Sequence, residues 1–330
     1  MALMKIVQCE QYGSYKDLKL REVPLPGPVD DFEVQVAITA RGLSFSDLVK
    51  IAGTYQEAST LPFVVGGEGA GIVTQVGSAV NHLRLGDRVL APSGCVEHLN
   101  IDARRVIKLA DSIDMEAAAA FRSNYATAYQ GLQLANLQAG ETLLVHGAAG
   151  GVGLAAVDMG KLLGARVIGT ASTLEKQAVV SSLGADHTLT YAQGFKDQVK
   201  DLTGGRGADV IFDPIGGAVF TESLRCIAPF GRVLVVGFTS GHAALAKTNH
   251  LLVKDASVIG FTVGGLQRHK PALAAHHTEI LLNWLASGRI KPFISHRLPM
   301  EEVIDAYQLI EDRQVAGKVI LTSSENNPAG

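Results

Sequence analysis

The sequence predicts an α/β chain in two parts: a compact β domain and a doubly wound parallel sheet. Three observations predict it. In the first hundred residues, short alternating runs are separated by Pro24, Pro26, Gly27 and Pro28. From Met115 onward, apolar strand-like runs alternate with helix-like ones. Between the first such strand and its helix stands the glycine turn HGAAGGVG, residues 146–153. A chain of 330 residues is long enough for two domains with separate cores.

In chain order, residues 5–9, 18–23 and 33–40 read as strands, followed in the same style by 69–76 and 87–90. Alanine-rich 115–120 opens a helix. Residues 142–146, apolar and bounded by Gly140 and Gly147, suit a strand buried on both faces. After the turn, Leu154, Ala155, Val157, Met159, Leu162 and Leu163 recur as one packed helix, and Gly164 stands at its C-cap. The second strand is 166–170. Then come a helix at 194–203, a strand at 208–213, a helix at 218–227, and strands at 232–238 and 257–263. The tail gives a long helix at 271–287, an extended run at 292–297, a helix at 301–312 and a strand at 318–322. The tail is expected to return to the β domain. The predicted division is therefore 1–122 with 264–330 as a discontinuous β domain, and 123–263 as the nucleotide-binding domain.

A strand, a glycine turn and a helix start form a phosphate cradle, because glycines let backbone approach an anion and the helix start offers unpaired N–H groups. Here the cradle is Gly147, Ala149, Gly150, Gly151, Val152 and Gly153, inside a complete βαβ unit. An ordinary packing turn is the alternative. The base of a dinucleotide is read at the end of the second strand, about 20 residues beyond the turn. That end carries Thr170, Ala171, Ser172 and Thr173, then Lys176. Hydroxyls and a cation suit a 2′-phosphate, so NADPH is expected over NADH. In the competing reading Lys176 is a solvated surface residue and Glu175 holds a ribose hydroxyl.

A net charge of −3 gives no reason to expect a nucleic acid or an anionic membrane as partner. The start MALMKIVQCEQYG lacks the apolar core of a signal peptide, and no run approaches a membrane span, so a cytoplasmic address is expected. Cys9, Cys95 and Cys226 are widely spaced and fit reduced thiols; with no Cys-x-x-Cys pair there is no structural zinc lobe. The neighbours His276 and His277 read as exposed helix residues.

Seven segments then carry a resemblance. They are GLSFSD (42–47), GGEGAGIVTQVG (66–77), LGDRV (85–89), NYATAY (124–129), VHGAAGGVG (145–153), GRVLVVGF (231–238) and AGKVIL (316–321). In this order they resemble the medium-chain dehydrogenase/reductase superfamily, and within it the zinc-free quinone oxidoreductases related to zeta-crystallin. The resemblance implies a GroES-like β catalytic domain, a Rossmann domain, and an active site in the cleft between them. Where the alcohol-dehydrogenase branch carries a zinc-binding cysteine and histidine, this chain has Ser44 and Gly67, the latter just before Glu68. No catalytic metal of that kind is expected. Without a Lewis acid for an alkoxide, the task implied is hydride delivery to a quinone or an α,β-unsaturated carbonyl.

By the same resemblance, Ser44 stands beside the nicotinamide ribose, and Asp47 orients ribose or water or else caps the next helix. Asn124, Tyr125 and Thr127 match the segment under the nicotinamide. Ser172, Lys176 and Tyr191 match the grip on the 2′-phosphate, and Phe238 and Thr239 face the nicotinamide. Tyr55 is the candidate donor to the substrate oxygen, with a cleft-lining role as its alternative. Arg122 is either a contact to an acidic substrate group or a salt-bridge residue. The functions in play are an NADPH-dependent quinone or enone reductase, an enoyl-thioester reductase using Arg122, Arg268, His269 and Lys270 on phosphates, and an NADPH-binding crystallin-like protein with little turnover. The apolar run 257–264, at the expected sheet edge, predicts a homodimer.

Overall fold

The computed structural model of the chain describes residues 2–191 and 194–323. It divides into two compact units, Met1–Arg122 with Pro292–Gly330, and Ser123–Lys291. The first leg carries β1 (Leu3–Cys9), β2 (Lys19–Pro24), β3 (Glu33–Leu43), α1 (Phe45–Ile51), β4 (Phe63–Val64), β5 (Glu68–Val76), β6 (Arg88–Ala91), β7 (His98–Asp102), β8 (Ile107–Lys108) and α2 (Met115–Leu134). The middle alternates β9 (Thr142–Val145), α3 (Gly151–Leu162), β10 (Arg166–Thr170), α4 (Leu174–Ser182), β11 (His187–Leu189), α5 (Lys196–Leu202), β12 (Ala208–Asp213), α6 (Gly217–Ser223), β13 (Ile227–Val235), α7 (Thr248–Leu252), β14 (Ser257–Gly260), α8 (Val263–His269) and α9 (Pro271–Ala286). The tail adds β15 (Ile294–Pro299), α10 (Val303–Glu311) and β16 (Lys318–Thr322).

In the first unit the strands run β15-β16-β3-β5-β6-β8, with β7 also on β3, beside a small sheet β2-β1-β4. The central strand β3 lies between β16 and β5, and its register fixes what meets at its C-terminal end. Gly42 is opposite Glu68 on β5 and Ile320 on β16, while Leu43 is opposite Val319. The first residues of β5 and β16 therefore arrive together where β3 hands over to α1. Below them, Leu43, Ile51, Val65, Tyr307, Val319 and Leu321 form one buried cluster, which fixes the handover.

The second unit is one parallel sheet ordered β11-β10-β9-β12-β13-β14. Counted from β9, this is the 3-2-1-4-5-6 order of dinucleotide-binding sheets, and the order reverses between β9 and β12. Residues Thr142–Val145 are all buried, as the glycine-bounded apolar run predicts. The reversal leaves a crevice at the carboxyl ends of these two strands, where such sheets bind ligands.

The tail departs from expectation. Residues 264–291 belong to the second unit, so the return to the first falls at Pro292 rather than at residue 264. The cause is packing of α9 on α2: Tyr129 meets His277 at 4.8 Å and Trp284 at 5.4 Å between ring centroids. His277, expected on the surface, is thus turned inward. The strand expected at 257–263 stops at Gly260, because Thr262 accepts the Gly265 N–H at 2.9 Å and caps α8. As expected, residues 257–260 form the end of the sheet order. β13 begins at Ile227 and ends at Val235, which leaves Phe238 and Thr239 beyond the strand.

Candidate functional site

The cradle grows directly out of β9. Gly147 takes φ +55°, in the left-handed region that glycine tolerates best. Gly150 caps α3, and the helix's first bond runs from Leu154 N–H to the Gly150 carbonyl at 2.8 Å. The N–H groups of Gly151, Val152 and Gly153 consequently have no intrahelical acceptor. A Cβ at Gly153 would overlap the Gly147 carbonyl and come within 2.8 Å of Ala148 Cα; one at Gly151 would come within 2.5 Å of Asn124 Nδ2. Ala149 is buried beneath the turn. Compact backbone, unpaired donors and a helix dipole fit the pyrophosphate of a dinucleotide.

Under the turn lies a polar chain that sequence reasoning did not resolve. Gly147 N–H donates to the Tyr191 hydroxyl at 2.9 Å, and that hydroxyl lies 2.5 Å from Thr170 Oγ1. Thr170 Oγ1 is 3.2 Å from His146 Nδ1; His146 Nε2 is 2.8 Å from Ser223 Oγ, which itself donates to the Val219 carbonyl at 2.8 Å. Every group is satisfied if Tyr191 donates to Thr170, Thr170 to Nδ1, and the Nε2 proton to Ser223. This ties the floor of the cradle to the ends of β9, β10 and α6. The signal for it was a histidine closing a buried apolar strand.

Burial pushes the fully enclosed His146 down to about 3 and Tyr191 up to about 12. A histidine depressed in the fold contributes stability that is present above its ordinary value of 6.5 and is lost as pH falls toward about 3, because the unfolded chain takes up the proton first. Melting curves between pH 7 and pH 4 are expected to show stability falling across that window. His146→Gln, which keeps hydrogen-bonding groups but does not titrate, is expected to flatten part of the slope; an unchanged slope removes His146 as its cause.

The other expected cofactor residues fall as follows. Tyr125 is buried and donates to Asp158 Oδ2 at 2.6 Å, so it fastens α2 to α3. Asn124 lies against Gly151, and Thr127 donates to the Ser123 carbonyl at 2.7 Å. Tyr191, expected to grip a 2′-phosphate, has its hydroxyl engaged by Gly147 and Thr170, which makes it part of the cradle's frame. Ser172 is exposed and Lys176 half-buried, the latter in the first turn of α4 with its N–H on Thr173 Oγ1. Phe238 is exposed and Thr239 half-buried, in the loop after β13; Thr239 N–H bonds the Pro214 carbonyl at 3.0 Å.

In the first unit, the β3 to α1 handover gathers Ser44, Asp47, Glu68 and Lys318. Asp47 is buried and accepts the Ser44 N–H at 2.8 Å, so of the two roles expected for it the structure shows helix capping. Burial raises its carboxyl above the usual range. Lys318 Nζ lies 2.5 Å from Glu68 Oε1 and donates to Ser44 Oγ at 2.6 Å. Arg122, half-buried, adds a second positive charge acting on Glu68. Asp47, Lys50, Ser59, Phe63, Val64, Val65 and Gly66 line an open recess of about 160 Å³. Tyr55 is exposed, with the Lys50 ammonium 5.3 Å from its ring centre. At Gly67 a side chain would meet nothing within 4 Å. Among the described residues, no group of three or more His, Cys, Asp or Glu is placed to hold a metal. All three cysteines are free and buried, with Cys95 and Cys226 pushed up to about 12 by burial. No described helix is long and apolar enough to cross a membrane.

A parallel sheet of this order with a donor-lined glycine turn at its reversal defines a dinucleotide-binding protein. Residues 30–111 match the alcohol dehydrogenase GroES-like domain family and residues 151–278 the family described as zinc-binding dehydrogenase. A Nematostella vectensis protein named quinone oxidoreductase-like protein 2 homolog is 39% identical, over 94% of this chain and 90% of its own length. The crystal structure of Escherichia coli quinone oxidoreductase complexed with NADPH superposes with TM-score 0.87 at 29% identity, covering 96% of this chain and 99% of that one. The CurK enoyl reductase superposes with TM-score 0.86 at 26% identity, covering 97% and 99%. The chain belongs to the quinone oxidoreductase family of the medium-chain dehydrogenase/reductases.

Proposed function

We propose that the chain reduces quinones or α,β-unsaturated carbonyls with NADPH and without a metal. The observation that carries this reading is the pair Ser44 and Gly67, a hydroxyl and a bare backbone where the zinc-dependent branch places thiolate and imidazole. When bound, NADPH supplies a hydride from C4 of its nicotinamide. The chain's own residues hold and orient. The N–H groups at Gly151, Val152 and Gly153 take the pyrophosphate; Ser172 and Lys176 take the 2′-phosphate, and Tyr191 keeps the turn in shape. Ser44, beside the nicotinamide ribose, and Tyr55 address the substrate, whose oxygen gathers delocalised charge as the hydride adds to carbon. A proton from water completes the product. Binding and orientation supply most of the rate.

The test is NADPH oxidation across a panel of quinones, enals and enones, with NADH in parallel. Turnover with one or more is expected. Tight NADPH binding with no turnover across the panel would instead favour the crystallin-like reading. Lys176→Ala is expected to lower the NADPH:NADH preference roughly tenfold or more, the size of one charge-assisted hydrogen bond; an unchanged ratio means the 2′-phosphate is held elsewhere. A second substrate class, enoyl thioesters, is favoured by the likeness to an enoyl reductase and by exposed Arg268, His269 and Lys270 at the end of α8. A homodimer through the end strand β14 completes the proposal, and a monomeric mass in light scattering would rule it out.

A further inference from the structure

A hydroxyl has one proton to give, and whatever holds its oxygen decides where that proton points. Ser44 Oγ receives a 2.6 Å hydrogen bond from the Lys318 ammonium, 274 positions away in the chain. An ammonium has only donors, so Ser44 is the acceptor in that bond and its own hydrogen stays available. Lys318 is 2% exposed and Glu68 is 5% exposed, and they meet at 2.5 Å. The site is built to admit them. A Cβ on Gly42 would stand 3.0 Å from Lys318 Cε and 3.1 Å from Glu68 Cγ, and would overlap the Ala119 carbonyl. A buried ion pair is commonly no more stabilising than well-packed apolar side chains of similar volume. Stability alone therefore does not account for a pair enclosed this closely.

We propose that Lys318 is a positioning residue for the reduction: charge-balanced by Glu68, it fixes the Ser44 oxygen and polarises the Ser44 O–H toward the oxygen of the bound quinone or enone. The inference rests on the reductase reading given above. As hydride adds to the substrate carbon, negative charge collects on the substrate oxygen, and the Ser44 hydroxyl donates to it with a cation directly behind. Ser44 keeps its proton throughout; the proton of the product comes from water. The arrangement places a fixed positive charge one hydroxyl away from the developing anion.

The experiment compares the full-length wild type, Ser44→Ala, Lys318→Met/Glu68→Gln and the triple variant, with para-benzoquinone and methyl vinyl ketone as substrates. The double variant removes both charges of the closest pair at once; Asp47, which Lys318 also faces, and Arg122, which acts on Glu68, keep theirs, so circular dichroism first confirms that it folds. It is expected to keep its NADPH Kd and substrate KM while kcat falls roughly 100-fold, as when one oxyanion donor is lost. Ser44→Ala is expected to cost about as much, and the triple variant no more than either, because Lys318 acts only through Ser44. A folded double variant with full kcat, or losses that multiply in the triple variant, overturns the inference. If wild-type protein oxidises NADPH with neither probe, the reductase reading fails on these substrates and this inference with it. Wild-type turnover with an unimpaired Ser44→Ala removes the inference and leaves the reductase reading standing.

Discussion

Gly153→Val is expected to lose NADPH binding, with Kd raised at least roughly 100-fold, about 3 kcal/mol. Even the first carbon of the new side chain overlaps the Gly147 carbonyl and crowds Ala148, both of them backbone, so no rotamer relieves it. The turn must open, and opening it displaces Gly147 N–H from Tyr191 and misaligns the donors at the start of α3. NADPH fluorescence titration measures the loss, and far-ultraviolet circular dichroism checks that the sheet survives. Binding within tenfold of wild type would show that the anion is held by side chains and not by this turn.

Lys318→Met alone is expected to be among the most destabilising single changes in the first unit, by about 3–5 kcal/mol, because it leaves the Glu68 carboxylate buried without its closest partner. The melting temperature of that unit should fall on the order of 10 °C. Adding Glu68→Gln should recover most of the loss, since the stranded charge rather than the missing contact carries the cost. Differential scanning calorimetry on the three proteins decides it. If the double variant is no more stable than Lys318→Met, the missing contact and not the stranded charge carries the cost.

The glycine cradle and the Ser44 cluster were not equally legible. The cradle could be read because everything that defines it is local: a buried strand, glycines at close spacing and a helix start follow one another without interruption from Thr142 to Leu162. Lys318 lay in plain view in the AGKVIL segment, yet nothing local distinguishes it from a surface lysine at a strand start. Only the register of β3 against both β5 and β16 brings it to Glu68 and Ser44. The same holds for His146, whose partners Thr170 and Ser223 come from separate elements. The boundary at residue 264 was misplaced for a related reason. Periodicity gave a long apolar helix and could not say that Tyr129 was what it packed against. Asp47 was the reverse case, since both its candidate roles were readable and geometry was needed to show the capping one.

The buried thiols have a bearing on the chemistry proposed. Quinones and enones are electrophiles that alkylate thiolates, so a catalyst working among them risks consumption by its own substrates. Cys9, Cys95 and Cys226 are all enclosed, and burial holds each thiol in its protonated, unreactive form. For substrates of the class proposed, the packing of the two cores keeps all three sulfurs out of reach.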